Sequence, residues 1–504
     1  MGAYDSGDNS WDNACNVTPD KTGNNCTWPG QYANYTYVEN IFTSPQSDTL
    51  GPYFQIAETY GFSNYTFQTN QGPSFLAHQF LFSGTSAPVY YDNDPTGLWK
   101  YLAAENPQLY VNGQPTQTLV SGCFSPGGTK VEDVNASGSE SYAYTPPGLN
   151  SNTYAGFPCY DHPSIADLLD NPTPPNSPII WKYYTNPSQQ KISIWTAPNA
   201  LQEICEADPN PLGQGSCTSP TGNTDWAKVE DTPGQILTDI STCSLPAVSW
   251  VIPDGTWSDH PGGAGFGDGG PSWVAAIVNA VGGSGQYKCV NTPYWGNTTI
   301  LITWDDWGGW YDHVAPYTPA GTPILTGGYP GTTGNAAGDG QGYVYGFRVP
   351  LLVVSAYTIQ TPNVVGYTGY ISGNTNLGGL PYPGEFPPYI HDFGSILGYI
   401  ESVFVPSAIT NYGIAGATSG GNNYPFADYF APDGPFECQK TGGCGSYGTY
   451  PLSDFFNLTT PRSFTAITNA KYAPSCFQEP DVTNSNCFPN YPSEPDNDDV
   501  DVQD

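Results

Sequence analysis

The densest group of chemically reactive side chains lies in residues 302–314, which read ITWDDWGGWYDHV. Nine consecutive residues there carry three carboxylates and one imidazole, on Asp305, Asp306, Asp312 and His313. An apolar, β-branched run leads directly into the first two aspartates, and adjacent carboxylates at a strand end can both turn toward one cation. Hard divalent cations prefer oxygen ligands of this kind. A solvated aspartate pair followed by a turn is the alternative, and the position directly after a buried strand favours the metal-ligand interpretation.

A second reactive group lies in residues 251–263, VIPDGTWSDHPGG, which also follow an apolar strand signal. Asp259 and His260 come before a glycine-rich loop. The imidazole of His260 could bind a metal ion or donate a hydrogen bond to a phosphate oxygen. It could equally be a loop histidine whose hydrogen bonds go to the backbone, and this stretch alone does not decide between the two.

A third group lies in residues 68–79, QTNQGPSFLAHQ, where Gly-Pro predicts a turn and Ser74 falls in the first turn of a helix. Free backbone N–H groups at a helix start attract anions, so a hydroxyl there is well placed to form an alkoxide. An ordinary N-cap serine is the alternative, and position alone favours it. His78 lies four residues on, on the same helix face. His391, which opens the segment HDFGSILGYIES, is a candidate supporting residue of the same site.

Apolar helix and strand signals alternate along most of the chain. Two short apolar runs, TTILITW and VPLLVVSAY, are typical of strands buried on both faces of a parallel sheet. The alternation predicts one doubly wound α/β domain with helices on both faces and long Gly/Pro-rich insertions. Because ligands in such folds bind beyond the carboxyl ends of the strands, we expect the three reactive groups to meet there. We assign residues 1–48 to a polar N-terminal segment, residues 49–470 to the α/β domain, and residues 471–504 to a Cys-containing, acidic and disordered tail.

The charge of the chain excludes some classes of partner. The 504 residues carry a net charge of −34 with only 11 Lys and Arg. The chain therefore lacks the positively charged surface that binds nucleic acids or anionic lipid headgroups. The sequence contains no run of about 18 apolar residues, the length that a transmembrane helix needs. A composition with 59 Gly, 50 Pro and 14% aromatic residues predicts a loop-rich, weakly charged surface, as in secreted proteins.

The cysteines also indicate an extracellular protein. Twelve cysteines without a CxxC or a Cys/His zinc pattern favour disulfides in an oxidising compartment, although their pairing does not follow from the sequence. Several N-x-S/T sequons permit N-glycosylation. No signal peptide is visible at the start of the sequence.

Four blocks of the sequence together resemble a known family. QTNQGPSFLAHQFLFSGTSAP, LPAVSWVIPDGTWSDHPGG, ILITWDDWGGWYDHV, and VPLLVVSAY with HDFGSILGYIES resemble the bacterial phosphoesterase family, which includes non-haemolytic phospholipases C and certain acid phosphatases. The order and spacing agree from about residue 50 to about residue 465. The resemblance implies an alkaline-phosphatase-like three-layer α/β/α sandwich with a mostly parallel central sheet.

The resemblance also implies roles for individual residues. Ser74 falls where the family has a Ser or Thr nucleophile that forms a phospho-enzyme and binds the metal. Asp305 and Asp306 fall on the metal-binding pair, and His260 and His313 on histidines of the active site. The implied cofactor is a divalent metal ion, and the implied substrate is a small phosphate ester or a phospholipid. The positions expected to support them are His78, Asp259 and His391.

One departure from the family affects this expectation. The family begins with an apolar strand of the type VVVIxxENRS, whose Glu-Asn pair completes the metal site, and nothing similar precedes residue 50. We therefore expect weak metal binding and low activity. A non-catalytic secreted glycoprotein derived from this family is one alternative. A glycoside hydrolase is another, because paired carboxylates among Trp and Tyr suit sugar chemistry without a metal.

Overall fold

A computed structural model describes residues 50–70, 72–89, 98, 101–119, 121–135, 140–172, 177–185, 193–206, 217, 219–230, 232–253, 255–260, 269–291, 293–308, 312, 325–326, 343–344, 346–360, 368–372, 391–405, 452–478 and 487. These residues form a mixed α/β structure with several small sheets. The predicted N-terminal segment and most of the predicted tail lie outside them, so the domain boundaries stay predictions.

Seven α-helices lie within the described residues. They are α1 (Gly51–Thr59), α2 (Ser74–Ser83), α3 (Ser151–Tyr154), α4 (Ile165–Asp170), α5 (Gln235–Ser241), α6 (Gly270–Val281) and α7 (Phe393–Phe404).

The described strands are all short. They are β1 (Gly61–Ser63), β2 (Tyr101–Ala103), β3 (Gln108–Val111), β4 (Gln114–Leu119), β5 (Thr129–Lys130), β6 (Asp133–Asn135), β7 (Glu140–Ser141), β8 (Trp181–Tyr184), β9 (Val229–Glu230), β10 (Val248–Val251), β11 (Thr299–Thr303), β12 (Leu325–Thr326), β13 (Tyr343–Val344), β14 (Leu351–Ser355) and β15 (Tyr370–Ser372).

Two sheets form the centre of the described structure. One has the order β11-β14-β1-β15, and the other is the parallel sheet β10-β8-β9. The small sheets β2-β6-β7, β4-β3-β5 and β12-β13 are antiparallel. In the first sheet β14 runs antiparallel to both β11 and β1. The prediction that VPLLVVSAY is a parallel strand is therefore wrong in direction, because a continuous apolar run reports burial on both faces and not strand direction.

The burial of β14 on both faces agrees with its sequence. All five of its residues are buried. Val354 packs with Ile56 of α1 and Val278 of α6 on one face. Val353 packs with Ile396 of α7 on the other face. The four-stranded sheet thus has helices against both faces, as side chains that alternate across a strand require.

Helices α2, α6 and α7 begin or end at residue types that favour a helix terminus. α6 has Pro271 in its first turn, where a missing N–H costs nothing. α7 begins with a capping box in which Asp392 accepts a hydrogen bond from the Ser395 N–H at 3.1 Å. α2 ends at Gly84, whose φ of 66° is left-handed and favours glycine.

The prediction of disulfides agrees with the structure, in which every described cysteine is paired. The cross-links hold together loops that carry little regular structure, since most of the joined residues lie between helices and strands. The pairs are Cys123–Cys159, Cys205–Cys217, Cys243–Cys289 and Cys476–Cys487. Within the described residues no helix has both the length and the apolar character to cross a bilayer.

Candidate active site

The two adjacent aspartates lie directly beyond the carboxyl end of β11. Pairing with β14 fixes this strand up to Thr303. The Asp306 carboxylate is held by its own turn, because Oδ1 accepts a hydrogen bond from the Gly308 N–H at 2.6 Å. Gly308 has a φ of 66°, a conformation that glycine adopts without strain. The second oxygen of Asp306 is left to face the interior of the site.

Ser74 brings its hydroxyl to that second oxygen. Ser74 Oγ lies 3.2 Å from Asp306 Oδ2, although the two residues are 232 positions apart. The residue that caps α2 is Pro73, and Ser74 is the first helical residue. The hydroxyl is therefore not an N-cap, which removes the plainer interpretation of this serine. Gly72 permits the tight turn ahead of it, since a Cβ there would lie 2.8 Å from the side chain of Leu76.

His78 lies one turn along α2 and holds the other aspartate. Its Nε2 is 3.4 Å from Asp305 Oδ2, and its Nδ1 is 3.2 Å from the hydroxyl of Tyr183. That hydroxyl donates to the carbonyl of Trp195 at 2.7 Å, so its oxygen must accept from Nδ1. The imidazole is thus held between the hydroxyl of Tyr183 and the carboxylate of Asp305.

The environment of Asp305 favours its ionised form. Burial opposes ionisation, but the hydrogen bond and charge of His78, the Ser74 hydroxyl and the charge of His260 outweigh it and lower the pKa of Asp305 to about 2. An ionised carboxylate beside a serine hydroxyl suits a cation site.

Asp259 and His260 follow β10 and reach the site from the other sheet. The hydroxyl of Tyr53 donates to Asp259 Oδ2 at 2.7 Å. A Cβ on Gly270 would lie 2.2 Å from Asp259 Oδ1, so the carboxylate packs against the start of α6. Burial raises the pKa of Asp259 to about 6, against hydrogen bonds from Tyr53, Gly270 and Trp304. Asp259 thus anchors the loop that carries His260.

Asp312 forms an ion pair with Arg348. Arg348 binds its carboxylate with two hydrogen bonds, of 2.6 Å from Nε and 2.9 Å from Nη2. Sequence reasoning missed Arg348, and the rarity of basic residues in this chain was the available signal. It also missed Tyr53 and Tyr183, for which the sequence carried no signal.

His391 lies in a separate buried cluster. Its Nε2 is 2.9 Å from Ser372 Oγ and 3.5 Å from Asp454 Oδ1. Its carbonyl accepts from the N–H of Phe67, in the segment that leads to α2. A supporting role for His391 stays a prediction, and His313 lies outside the described residues.

Several of these side chains line one part of a large cavity of about 840 Å³. Its volume is typical of a ligand site. The rest of the cavity is mostly apolar and runs between β10 and β11. The polar end is lined by His78, Arg348, Asp259, His260, Asp305 and Asp306.

The donor types at this end fit a hard divalent cation. Ser74, Asp305 and Asp306 offer one hydroxyl and two carboxylates. Among the residues the structure describes, no group of three or more His, Cys, Asp or Glu is arranged as a metal site. Mg²⁺ is commonly bound by one or two carboxylates, with water and substrate phosphate at its other positions. The donor set fits an ion of that kind.

Comparison with known proteins agrees with this chemistry. A model of the phosphoesterase family matches residues 5–405. Phospholipase C A of Mycobacterium tuberculosis is 33% identical over 137 residues, which are 25% of this chain and 23% of the relative. Non-hemolytic phospholipase C of Pseudomonas aeruginosa is 32% identical over 134 residues, 24% of this chain and 18% of the relative. Non-specific phospholipase C6 of Arabidopsis thaliana is 40% identical over 76 residues, 15% of this chain and 13% of the relative.

The matches to these relatives are short, and each spans less than a quarter of the relative's length. The family model covers most of the chain and includes Ser74, His260 and both aspartates of the pair. Together the family and the relatives' names support phosphoester hydrolysis as the class of reaction. The chain belongs to the phosphoesterase family.

Proposed function

We propose that this protein is a secreted, metal-dependent phosphoesterase that works through a phospho-serine on Ser74, within a three-layer α/β/α sandwich. One observation carries the proposal: the Ser74 hydroxyl lies 3.2 Å from Asp306 Oδ2, beside an Asp305 that His78 holds. A buried nucleophile next to two carboxylates is the arrangement expected for metal-assisted phosphoryl transfer.

The first half of the reaction transfers the phosphoryl group to the enzyme. Ser74 Oγ attacks phosphorus and gives up its proton, for which Asp306 Oδ2 already accepts a hydrogen bond. The bond from phosphorus to the leaving alcohol breaks, and His260 donates the proton that the alcohol needs. A divalent cation bound by Asp305 and Asp306 would lower the pKa of the hydroxyl and neutralise charge on the phosphoryl oxygens.

The second half releases phosphate. Water attacks the phosphorus of phospho-Ser74, the bond to Oγ breaks, and Ser74 Oγ regains the proton that Asp306 took up in the first half. His260 can accept the proton of the attacking water, having lost its own in the first half. His313 is proposed as a second histidine of the site on the resemblance alone.

The substrate class follows from the relatives and the charge. The similar proteins are named phospholipases C, and a small phosphate ester would fit the same chemistry. With a net charge of −34, the protein has no attraction for anionic bilayers, so a zwitterionic phospholipid is the favoured lipid substrate. The family match favours these phosphoesters over a glycoside.

Substitution of the nucleophile tests the proposal. Ser74→Ala should lower kcat for p-nitrophenyl phosphate and p-nitrophenyl phosphorylcholine by at least about 10³-fold, while EDTA should remove wild-type activity. Ser83→Ala is the matched control, because Ser83 is a buried serine on the same helix and lies nine residues from Ser74. Retained turnover in Ser74→Ala would remove this residue from its role, and an inactive wild-type protein would favour the non-catalytic alternative.

A further inference from the structure

A short segment that follows β8, residues 193–197, contacts both sides of the candidate active site. β8 and β10 are parallel neighbours, and Tyr184 at the end of β8 pairs with Val251 at the end of β10. The chain segments that leave these two strands therefore start at the same edge of the sheet. One segment carries Trp195 and the other carries His260, which brings these two side chains within reach of each other.

The indole of Trp195 lies against the imidazole of His260. The centres of the two rings are 6.1 Å apart, and the ring planes are tilted by 37°. Trp195 is only 6% exposed and packs in the same hydrophobic cluster as Phe75 and Phe80 of α2. Because a closely packed ring of this size has little room to move, it restricts the orientation of the imidazole beside it.

The backbone of Trp195 is connected to the metal-binding pair. The hydroxyl of Tyr183 donates to the carbonyl of Trp195 at 2.7 Å, and the same oxygen lies 3.2 Å from His78 Nδ1. His78 in turn contacts Asp305, with 3.4 Å between Nε2 and Oδ2. Trp195 thus contacts His260 through its ring and is linked to Asp305 through its carbonyl.

Buried hydrogen bonds hold the rest of the segment in place. The Gln79 side chain of α2 donates to the carbonyl of Ala197 at 3.2 Å. The hydroxyls of Thr185 and Thr196 are 2.6 Å apart. Gln79, Thr185 and Thr196 are all buried, so breaking either contact would leave polar groups without partners inside the protein. The segment is therefore a firm support between β8 and α2, the helix that carries the proposed nucleophile.

Phosphoryl transfer places a strict demand on the positions of Ser74 and His260. The attacking and leaving oxygens lie roughly in line with phosphorus, so the group that protonates the leaving alcohol must lie opposite the nucleophile. Ser74 begins α2, whereas His260 follows β10 in a different part of the chain. Local structure does not set the distance between them, and a support that contacts both parts of the site is needed.

We propose that Trp195 is a positioning residue that holds His260 opposite Ser74 for protonation of the leaving alcohol. The inference rests on the proposed phosphoesterase function. Trp195 exchanges no proton itself: the bond between phosphorus and the alcohol oxygen breaks, and His260 supplies the proton to that oxygen. The indole determines where this proton is delivered, so its contribution is largest for substrates whose leaving group needs a proton.

Two substrates with different leaving groups test this role. p-Nitrophenolate leaves without a proton, whereas the alcohol of glycerol 2-phosphate needs one. Trp195→Leu should therefore lower kcat/KM for glycerol 2-phosphate at least about ten-fold more than for p-nitrophenyl phosphate. A residue needed only for packing would lower both values by the same factor. Trp226→Leu is the matched control, because Trp226 packs against the same cluster but is not among the residues that line the cavity, and it should leave the ratio unchanged.

A double variant tests whether Trp195 acts through His260. His260→Gln alone should lower the ratio of the two kcat/KM values, and adding Trp195→Leu should lower it no further. Trp195→Met is a second variant in case Trp195→Leu does not fold. Equal losses on both substrates, or additive losses in the double variant, would overturn the proposal. A wild-type protein inactive on both esters would refute the proposed function itself, and this inference with it.

Nuclear magnetic resonance of the metal-free protein tests the ring contact without any turnover. The Cε1–H resonance of His260 can be identified by its loss in His260→Gln. Because an aromatic ring shifts the resonance of a proton near its face, this signal should move in Trp195→Leu and stay in place in Trp226→Leu. An unchanged His260 resonance in Trp195→Leu would overturn the contact on which the proposal is built.

Discussion

Glu401 provides a sharp test of the packing of α7. Its side chain is fully buried, and neither carboxylate oxygen has a hydrogen-bond partner among the described residues. Burial raises the pKa of this carboxyl from 4.5 to about 8, because a charge without a partner is costly inside the protein. The folded protein therefore keeps Glu401 protonated at neutral pH.

The sign and size of the effect on stability follow from this shift. Below pH 4.5 both the folded and the unfolded state hold the proton. As the pH rises from 4.5 to about 8, the unfolded chain releases it while the folded chain does not, so the free energy of unfolding falls. A shift of about 3.5 pH units at 1.36 kcal/mol each gives a loss on the order of 5 kcal/mol, about half of it between pH 5 and 7.

Urea unfolding between pH 4 and 9 measures this loss. Other carboxyls also titrate, so the informative quantity is the difference between wild-type protein and Glu401→Gln, whose amide does not titrate. We expect the free energy of unfolding of the wild type to fall by several kcal/mol more than that of the variant. Glu206→Gln, at an exposed position, should follow the wild type. Parallel pH profiles for wild type and Glu401→Gln would contradict the assignment of a protonated, unpartnered carboxyl.

Three further predictions concern the site and its supports. His78→Gln removes the imidazole that contacts Asp305 and should lower kcat/KM for p-nitrophenyl phosphate by about 10- to 100-fold, with an unchanged circular dichroism spectrum. Asp312→Asn and Arg348→Met should each destabilise the protein, and a double-mutant cycle by urea unfolding should give a coupling energy of about 1–3 kcal/mol; additive effects would contradict the two-bond ion pair. Gly270→Ala should lower both Tm and activity, because the added Cβ clashes with a carboxylate 2.2 Å away, whereas Gly296→Ala meets nothing within 4 Å and should be neutral.

Several helices and strands around the site could be predicted from the sequence. The sequence patterns predicted the helix now seen as α2 and the strands β10, β11 and β14, because buried strands are rich in apolar residues. The direction of β14 relative to its neighbours could not be predicted from residue type. Its apolar run would read the same in a parallel and an antiparallel pair, and only the positions of β1 and β11 decide.

The contacts within the site could not be predicted from the sequence, because they join distant parts of the chain. The pattern identified Ser74 and Asp306 separately, but their 3.2 Å contact depends on the packing of α2 against the end of β11. The contact of Tyr183 with His78 had no local signal, since tyrosine is frequent throughout the chain. The disulfides differ in the same way. Cys205 and Cys217 are close in sequence, whereas Cys243 and Cys289 are 46 residues apart, and only the folded structure brings them together.

Detection of a phospho-serine intermediate tests most directly whether Ser74 is the nucleophile. Wild-type protein is mixed with p-nitrophenyl phosphate and a divalent cation, quenched in acid within the first turnovers, digested, and analysed by mass spectrometry. We expect a peptide that carries one added phosphoryl group on Ser74, which disappears in Ser74→Ala and persists in Ser83→Ala. Turnover without any phosphorylated Ser74 peptide, or with the phosphoryl group on a different residue, would contradict the assignment of Ser74 as the nucleophile.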